Sequence, residues 1–398
     1  MVLECGRNAR AIEGSHAMIP YGFHSVSQDE IEAVSDVLKQ GWLTQGPLVS
    51  EFETLFAQYC QARFACSTCN ATAALHVAYI ALGVNEHSKV WTTPNTFVAT
   101  SNTALMCGAK MSFIDIDVAT GNMNIDLLEE ELKQASHHGN LPDVVTLVHF
   151  AGHPMDMQRI QTLAKQYQFK VIEDASHAVG AKYNTGETIG CGKYSDLTVF
   201  SFHPVKIMTT GEGGMITGND EHLLKHCKRL TSHGIDKDLH SRGNSWEFDQ
   251  VELGMNYRLT DIQAAMGCVQ LKKVDDFIQK RQSIAQRYLD AFDEQYIQCV
   301  SPNGGSYSSY HLFPVLVENR KPIFEALRNN NIGVAVHYRP VYLNAFYQKL
   351  GFESGLCPQA EEFYAQELSL PIYPDLTEQD QSSVINTLIS AVNTYSKE

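Results

Sequence analysis

The chain has 398 residues, of which 44% are hydrophobic and 19% are charged. These fractions are typical of folded globular proteins and exclude extensive disorder and fibrous repeats, while the length predicts two or three packed units. The formal net charge of −15 argues against a nucleic-acid-binding protein, because phosphate backbones require a basic face. No apolar stretch approaches the roughly 20 residues of a membrane-spanning helix, so we expect a soluble, cytoplasmic protein.

Residues 1–17 mix charged and small side chains. They lack the apolar stretch of a secretory signal, so we interpret them as a loose leader, with Met18 as an alternative start. The ten cysteines show no regular spacing, which predicts reduced thiols rather than a disulfide framework. Cys66 and Cys69 form a C-x-x-C pair, but no second pair stands at the spacing of a zinc site.

Two helices are predicted next. Apolar residues recur at helical spacing over residues 28–38, after the capping candidate Ser27, and the pattern ends at Gly41. Proline is favoured in the first turn of a helix, so Pro47 is expected to open the second helix.

From Phe64 onward, short β-branched runs alternate with helical stretches. This alternation predicts an α/β domain with a mostly parallel sheet, which we place at residues 18–264. The predicted strands cover residues 89–91, 110–116, 144–150, 170–173 and 197–202.

After residue 263 the pattern changes. A long helical stretch is followed by a strand at 311–317, a helix at 323–327, a strand at 334–338 and helices near Glu361 and Gln379. We interpret residues 265–398 as a smaller α/β domain, and the N-terminal helix is a candidate to pack on it.

Three features carry chemistry. Asp174 ends an apolar strand, at the sheet edge where open α/β folds bind ligands, although an acid there also serves as a simple cap. Lys206 lies in the loop after the strand at 197–202, where a lone lysine is most often a solvated surface group. Residues 70–74 place small side chains at a helix start, which suits a phosphate or an ordinary N-cap.

Together the three features suit pyridoxal phosphate. A lysine can form a Schiff base with the cofactor, a carboxylate can pair with its pyridinium nitrogen, and a helix N-terminus can bind its phosphate. The conjunction predicts transamination, in which an amino acid gives its amino group to the cofactor and a keto substrate then takes it.

At these residues the chain resembles the DegT/DnrJ/EryC1/StrS family of pyridoxal-phosphate-dependent sugar aminotransferases, which share the fold type I of aspartate aminotransferase. The resemblance extends from about Met18 to the end of the chain. Several long motifs in the same order make it specific. They lie at residues 43–47, 173–177, 201–206, 210–214 and 256–265.

The resemblance implies a role for individual residues. Lys206 would form the Schiff base, Asp174 would pair with the pyridine nitrogen, and His177 would lie beside the ring hydroxyl. Phe97 falls where the family stacks an aromatic side chain on the cofactor. The remaining implied cofactor ligands contact the phosphate: Ala71, Thr72, Ser201 and, from the other subunit of a homodimer with shared sites, Asn256.

Within the family, the chain resembles the branch that makes UDP-4-amino-4,6-dideoxy-N-acetyl-altrosamine on the route to pseudaminic acid. Residues 201–206, 232–235, 336–341 and 370–374 carry this likeness. It implies that L-glutamate donates an amino group to the C4 keto group of a UDP-4-keto-6-deoxy-N-acetylhexosamine.

Two departures from the pattern of this branch leave the identity of the sugar substrate open. Met208 replaces the usual Ile or Val of the branch, and residues 236–249 match it poorly, so a 3-keto or dTDP-linked sugar stays an alternative. A diphosphate bound to an acidic protein needs local positive groups and donors. The candidate substrate-binding residues are Arg242, Arg258, His337, Tyr338 and Arg339.

The sequence supports other functions less strongly. His149 and His153 with Asp174 and His177 could suggest a metal hydrolase. Gly152 and Pro154 break the helix that would align the two histidines, so no metal is predicted. A related dehydratase branch replaces the catalytic lysine with histidine, and the presence of Lys206 favours transamination.

Two further alternatives were weighed. The glycines at 211–214 lack the helix start and spacing of a dinucleotide fingerprint and are expected to form a tight turn. A non-catalytic relative that only binds a sugar nucleotide stays open, although Lys206 and Asp174 are both present.

Overall fold

The computed structural model describes residues 18–236, 246, 248–302 and 304–395. The proposed leader, Arg242 and most of the poorly matching region therefore lie outside the described residues. Among those described, no helix combines the length and apolarity that crossing a bilayer requires.

The first two helices form where the sequence predicts them. Helix α1 (Gln28–Gln40) begins at a capping box between Ser27 and Glu30 and ends at Gly41, whose φ of 95° favours glycine. Helix α2 (Pro47–Cys60) has proline in its first turn.

Eleven further α-helices follow in the described residues. They are α3 (Ala71–Ala81), α4 (Ala99–Met106), α5 (Ile125–His137), α6 (Met157–Tyr167), α7 (Glu221–Leu230), α8 (Asp261–Leu271), α9 (Val274–Ala291), α10 (Arg320–Asn329), α11 (Ala345–Lys349), α12 (Pro358–Gln366) and α13 (Glu378–Tyr395). The long helical stretch predicted after residue 263 is thus two helices, with a break at Lys272 and Lys273.

A seven-stranded sheet forms the centre of the larger part. Its strands are β1 (Phe64–Thr68), β2 (Lys89–Thr92), β3 (Lys110–Phe113), β4 (Val144–Val148), β5 (Lys170–Asp174), β6 (Leu197–Ser201) and β7 (Gly214–Gly218). Their order is β1-β7-β6-β5-β4-β2-β3, and only the two pairings of β7 are antiparallel. The predicted α/β class with a mostly parallel sheet is confirmed.

Helices cover both faces of this sheet, because alternate side chains of a strand point to opposite faces. On one face Phe52 of α2 packs on Phe202, and Phe56 packs on Phe200, with ring centroids 5.4 and 5.0 Å apart. On the other face Val199 packs in a cluster with residues of α3 and α7. Both faces of β6 are therefore buried up to its carboxyl end.

A second, antiparallel sheet lies in the C-terminal part. It contains β10 (Gln298–Cys299), β11 (Phe313–Leu316) and β12 (Glu367–Leu370) in that order, while β8 (Ile235–Asp236) pairs with β9 (Asp249–Gln250) elsewhere. The strands that were not predicted are β1, β7, β8, β9, β10 and β12. The strand predicted at 334–338 is wrong, because that segment forms only a single bridge, from Ala335 to Ser369.

The N-terminal segment contacts both parts of the molecule. Ile19 forms a bridge with Ile332 and joins the C-terminal hydrophobic cluster. Helix α1 instead contacts α8, which packs in the core cluster of the larger sheet. Glu30 accepts hydrogen bonds from Gln270 of α8 and from Lys273, just beyond the end of that helix. The proposed domain division falls inside α8 and stays a prediction.

Glu173 joins the central strands through a buried polar network. Its carboxylate accepts hydrogen bonds from His149 Nε2 at 2.8 Å, from the Tyr183 hydroxyl at 2.6 Å and from Ser195 and Thr198. Burial by itself raises the pKa of Glu173, but these hydrogen bonds, led by His149, outweigh it and lower the pKa. Glu173 is therefore an anion that stabilises the fold.

We predict that Glu173→Gln lowers the free energy of unfolding by about 1–3 kcal/mol at neutral pH, because the amide cannot accept from all four donors. A carboxyl group with a depressed pKa stabilises above its unfolded pKa and loses this contribution as the pH falls through the folded value. The difference in free energy of unfolding between the variant and wild type, measured with urea, should therefore become smaller at acid pH. Exposed Glu86→Gln is the control, and equal stability of Glu173→Gln and wild type at neutral pH would contradict the role.

Candidate active site

A cavity of about 500 Å³ lies beyond the carboxyl ends of β5 and β6. It has the place expected for a ligand in an open α/β sheet. The sequence-predicted residues that line it are Ala71, Thr72, Phe97, Asp174, His177, Ser201, Lys206, His337 and Tyr338. Segments more than 260 residues apart in the chain thus meet in one cavity.

Lys206 lies in the turn that follows β6, where its N–H donates to His203 O at 2.9 Å. Its Nζ lies 3.5 Å from Nε2 of His311. Burial lowers the pKa of Lys206 to about 8, although the negative charge of Asp174 acts in the opposite direction. The amine is therefore closer to its neutral, nucleophilic form at physiological pH than an exposed lysine is.

Asp174 is the last residue of β5 and is almost fully buried. Its Oδ2 accepts from Thr100 Oγ1 at 2.7 Å, and its Oδ1 accepts from the N–H and the hydroxyl of Ser176 at 3.1 and 2.6 Å. These bonds fix the plane of the carboxyl group. Each carboxylate oxygen has two lone pairs, so Oδ2 can also accept from a ligand in the cavity.

His177 is a neutral side chain in the cavity wall. Burial lowers its pKa well below the ordinary value, and the charge of Lys206 acts in the same direction. Its Nδ1 accepts from the N–H of Ala151 at 3.3 Å, so the ring proton is on Nε2, which lies 3.2 Å from the Tyr338 hydroxyl. His177 therefore presents a hydrogen-bond donor.

The start of α3 forms another wall. The Asn70 side chain accepts from the N–H of Ala73 at 2.8 Å, and Ala71 and Thr72, which precede Ala73 in the first turn, line the cavity. A Cβ atom on Gly214 would lie 2.6 Å from Thr68 Oγ1 and 2.7 Å from Asn70 O, so only glycine lets β7 approach this turn. Ser201, in register with Gly214, adds a hydroxyl at the same end. This arrangement suits a phosphate group.

Several lining residues were not predicted from the sequence. His311 is buried beside Lys206, its ring centroid is 4.4 Å from that of His177, and its Nδ1 has no hydrogen-bond partner among the described residues. Tyr21 and Glu212 also line the cavity. No local pattern marks them, because the sequence does not show which distant segments meet.

Other predicted residues lie outside the cavity. Asn256 is exposed and bridges to Ser232, and Arg258 Nη1 donates to Ser232 Oγ at 3.3 Å. Arg339 is exposed and donates to Leu343 O. In the single chain, these three side chains do not reach the cavity.

The residues that suggested a metal site, a dinucleotide fingerprint or a C-x-x-C pair have structural roles. His149 binds Glu173 as described above, and His153 Nδ1 lies 2.8 Å from Ser308 Oγ, so the two histidines face different groups. Gly211, with φ of 80°, belongs to the turn between Lys206 and β7. Cys66 is a buried free thiol.

Comparison with known proteins identifies the family. A model described as the DegT/DnrJ/EryC1/StrS aminotransferase family matches residues 24–389. A UDP-4-amino-4,6-dideoxy-N-acetyl-beta-L-altrosamine transaminase of Campylobacter jejuni is 41% identical over 386 residues, which cover 96% of this chain and 99% of that protein.

Solved structures agree. Helicobacter pylori PseC, an aminotransferase involved in the biosynthesis of pseudoaminic acid, matches with a TM-score of 0.88 and 30% identity over 95% of this chain and 100% of that chain. The sugar aminotransferase Spr1654 of Streptococcus pneumoniae, in its PMP form, matches with a TM-score of 0.88 and 29% identity over 94% and 99% of the two chains.

The chain therefore belongs to the DegT/DnrJ/EryC1/StrS aminotransferase family and is a pyridoxal-phosphate-dependent sugar aminotransferase. The expected fold type I class is confirmed by the same structural neighbours.

We predict that Lys206 of cofactor-free protein reacts with an amine-acylating reagent with a half-maximal rate near pH 8, because burial lowers its pKa to about 8. Lys133 is the control, since its hydrogen bond to Glu129 raises its pKa and its reactivity should still increase at higher pH. Peptide mass spectrometry after short exposures measures both lysines in one sample. A Lys206 profile that coincides with that of Lys133 would contradict the prediction.

Proposed function

We propose that this family member transfers an amino group from L-glutamate to the C4 keto group of a UDP-4-keto-6-deoxy-N-acetylhexosamine, a step in pseudaminic acid biosynthesis. The observation that carries this proposal is the single cavity in which Lys206, Asp174 and the start of α3 meet. The named relatives from Campylobacter jejuni and Helicobacter pylori support the sugar.

The cavity residues fit pyridoxal phosphate. Lys206 would bind the aldehyde and Asp174 the pyridine nitrogen, while Phe97 would cover a ring face and His177 would donate to the ring hydroxyl. Ala71, Thr72 and Ser201 would bind the phosphate. When bound, the cofactor supplies an electron-accepting ring and carries the amino group between the two substrates.

Lys206 is proposed as the catalytic acid and base. An amine with a pKa of about 8 can both accept and return a proton near neutral pH. Its Nζ would take the proton from the α-carbon of the amino-acid donor and return a proton to the sugar carbon in the second half of the reaction.

Asp174 is proposed to hold a proton on the pyridine nitrogen. Thr100 and Ser176 keep its carboxylate in place from one side. A nearby negative charge favours the protonated form of a basic nitrogen. The ring is thereby kept electron-poor while Lys206 moves the proton.

The site is proposed to be complete only in a homodimer. Asn256 does not line the cavity of its own chain and its side chain is exposed, as expected for a residue that contacts a partner. Arg258, two residues on, would be carried toward the same partner site, where it would bind the anionic sugar nucleotide. His337 and Tyr338 of the chain that holds Lys206 would bind the sugar.

Turnover of a substrate panel tests the reaction. Protein loaded with pyridoxal phosphate is expected to use L-glutamate and the UDP-linked 4-keto sugar with a kcat/KM at least about tenfold above that for a dTDP-linked 3-keto sugar, since both the nucleotide and the position of the keto group are proposed to be recognised.

Lys206→Ala is the inactive control and should also lack the visible absorbance band of the bound cofactor. Preferential turnover of the dTDP-linked 3-keto sugar would overturn the branch assignment. Absence of the band and of all turnover in wild-type protein would favour a relative that only binds sugar nucleotides.

Complementation tests the shared site. Lys206→Ala and Asn256→Asp chains should each be inactive as homodimers, because one lacks the amine and the other places a negative charge at the phosphate. Co-expressed chains should recover about a quarter of wild-type activity, since half of randomly paired dimers contain one intact site.

The control pairs a chain carrying both substitutions with either single variant, which leaves no intact site. If mixed single variants gain no activity although heterodimers form, Asn256 does not act across subunits.

A further inference from the structure

A chain of hydrogen bonds runs from the C-terminal sheet to the cavity wall. Glu367 and Ser369 are fully buried on β12, two residues apart and hence on one face of the strand. Ser369 Oγ lies 2.6 Å from Glu367 Oε1 and 2.8 Å from Nδ1 of His337, which lines the cavity. We call these three residues the Glu367 relay.

We propose that Glu367 and Ser369 are positioning residues that set the tautomer of His337, so that His337 Nε2 donates a hydrogen bond to the bound sugar at neutral pH. The identification of the sugar as the ligand that accepts this hydrogen bond rests on the proposed function. The tautomer of His337 is a property of the protein alone. Neither Glu367 nor Ser369 lines the cavity, so both act through His337.

The direction of each hydrogen bond follows from the charge of Glu367. Its Oε2 accepts from the backbone N–H of His337 at 2.6 Å, which leaves Oε1 for Ser369. A protonated Glu367 donates from Oε1 to Ser369 Oγ, and Ser369 then donates its single proton to His337 Nδ1. A neutral imidazole whose Nδ1 accepts carries its proton on Nε2.

When Glu367 is ionised, the direction of the hydrogen bonds in the Glu367 relay is reversed. The carboxylate can only accept, so the Ser369 hydroxyl donates to Oε1 and its oxygen accepts from Nδ1–H of His337. In that state His337 Nε2 presents a lone pair to the cavity. One carboxyl proton at a buried site therefore decides whether the cavity wall donates or accepts a hydrogen bond.

The surroundings of Glu367 favour its protonated form at neutral pH. Burial raises the pKa of Glu367 to about 8, although the hydrogen bonds from Ser369 and from the His337 N–H oppose the rise. The charge of Arg320 also opposes it, but the guanidinium donates to the backbone carbonyls of Tyr364 and Glu367 and not to the carboxylate.

The ring of His337 stays neutral throughout. Burial lowers its pKa to about 3, and the positive charge of Lys206 acts in the same direction. With Nδ1 turned toward Ser369, Nε2 is the ring nitrogen left for a bound molecule. Four other titratable side chains interact with this ring: Tyr21, His177, His311 and Tyr338.

The tautomer can be measured directly by 15N NMR of histidine-labelled protein, with the His337 signals assigned by their loss in His337→Gln. We expect Nε2–H in wild-type protein at about pH 6.5 and Nδ1–H at about pH 9.5, on either side of the Glu367 titration. Glu367→Gln can accept from the His337 N–H and still donate to Ser369, so it should keep Nε2–H at both pH values.

Kinetics measure the consequence for the sugar. The wild-type KM for the UDP-linked keto sugar should rise about tenfold between these pH values, as expected for one lost hydrogen bond. In Glu367→Gln this KM should stay constant. The pH dependence of kcat, which follows Lys206, should be the same in both proteins.

Two results would overturn the relay: a wild-type His337 tautomer that does not change over this pH range, or a change that persists in Ser369→Ala. Apart from His337→Gln, which serves only to assign the signals, the wild-type titration requires no variant to fold. Since the NMR measurement needs no substrate, failure of all sugars to turn over would count against the proposed function, and the spectra would still decide on the relay.

Discussion

The parallel pairing of β5 with β6 is the constraint on which the site depends. The register places Asp174 beside Val199, two residues before the end of β6, so that Asp174 and Ser201 reach the same edge of the sheet. Lys206 follows in the turn beyond that edge. A shift of one residue would turn Asp174 to the opposite face of the sheet, because side chains alternate along a strand. The buried aromatic contacts of Phe200 and Phe202 with α2 stabilise this register.

Burial then decides the protonation states around the cavity. The same loss of hydration lowers the pKa of Lys206, raises that of Glu367 and keeps His177 and His337 neutral, since each change removes a charge from a poorly solvated site. Glu173 is the exception, because four donors surround it and preserve its charge. The proposed chemistry thus combines one reactive amine and the Asp174 carboxylate with neutral histidines, while the hydrogen bonds at Glu173 and Glu367 oppose the rise in pKa that burial causes.

Local patterns predicted most of the larger sheet. Strands β4, β5 and β6 are runs of apolar residues between polar turns, and their bounds agree with the sequence to within two residues. Strand β7 was missed because glycines at both of its ends weaken the strand pattern, and β12 because it follows α12 without a turn. The apolar residues at 334–338 suggested a strand, but tertiary contacts leave that segment only one bridge, to Ser369.

The sequence by itself indicated the family and the chemistry, because Asp174 and Lys206 belong to motifs in the order of the family, and their conjunction with the start of α3 suits pyridoxal phosphate. It also indicated His177 and Ser201 through those motifs, and Phe97 through its position in the resemblance to the family. Only the tertiary structure decided that His311 lies beside Lys206 and that Glu367 and Ser369 stand behind His337. Such contacts join residues far apart in the chain or on separate elements, and the pKa of each group depends on burial. Neither property is encoded in local spacing; both arise when the two sheets pack together around the cavity.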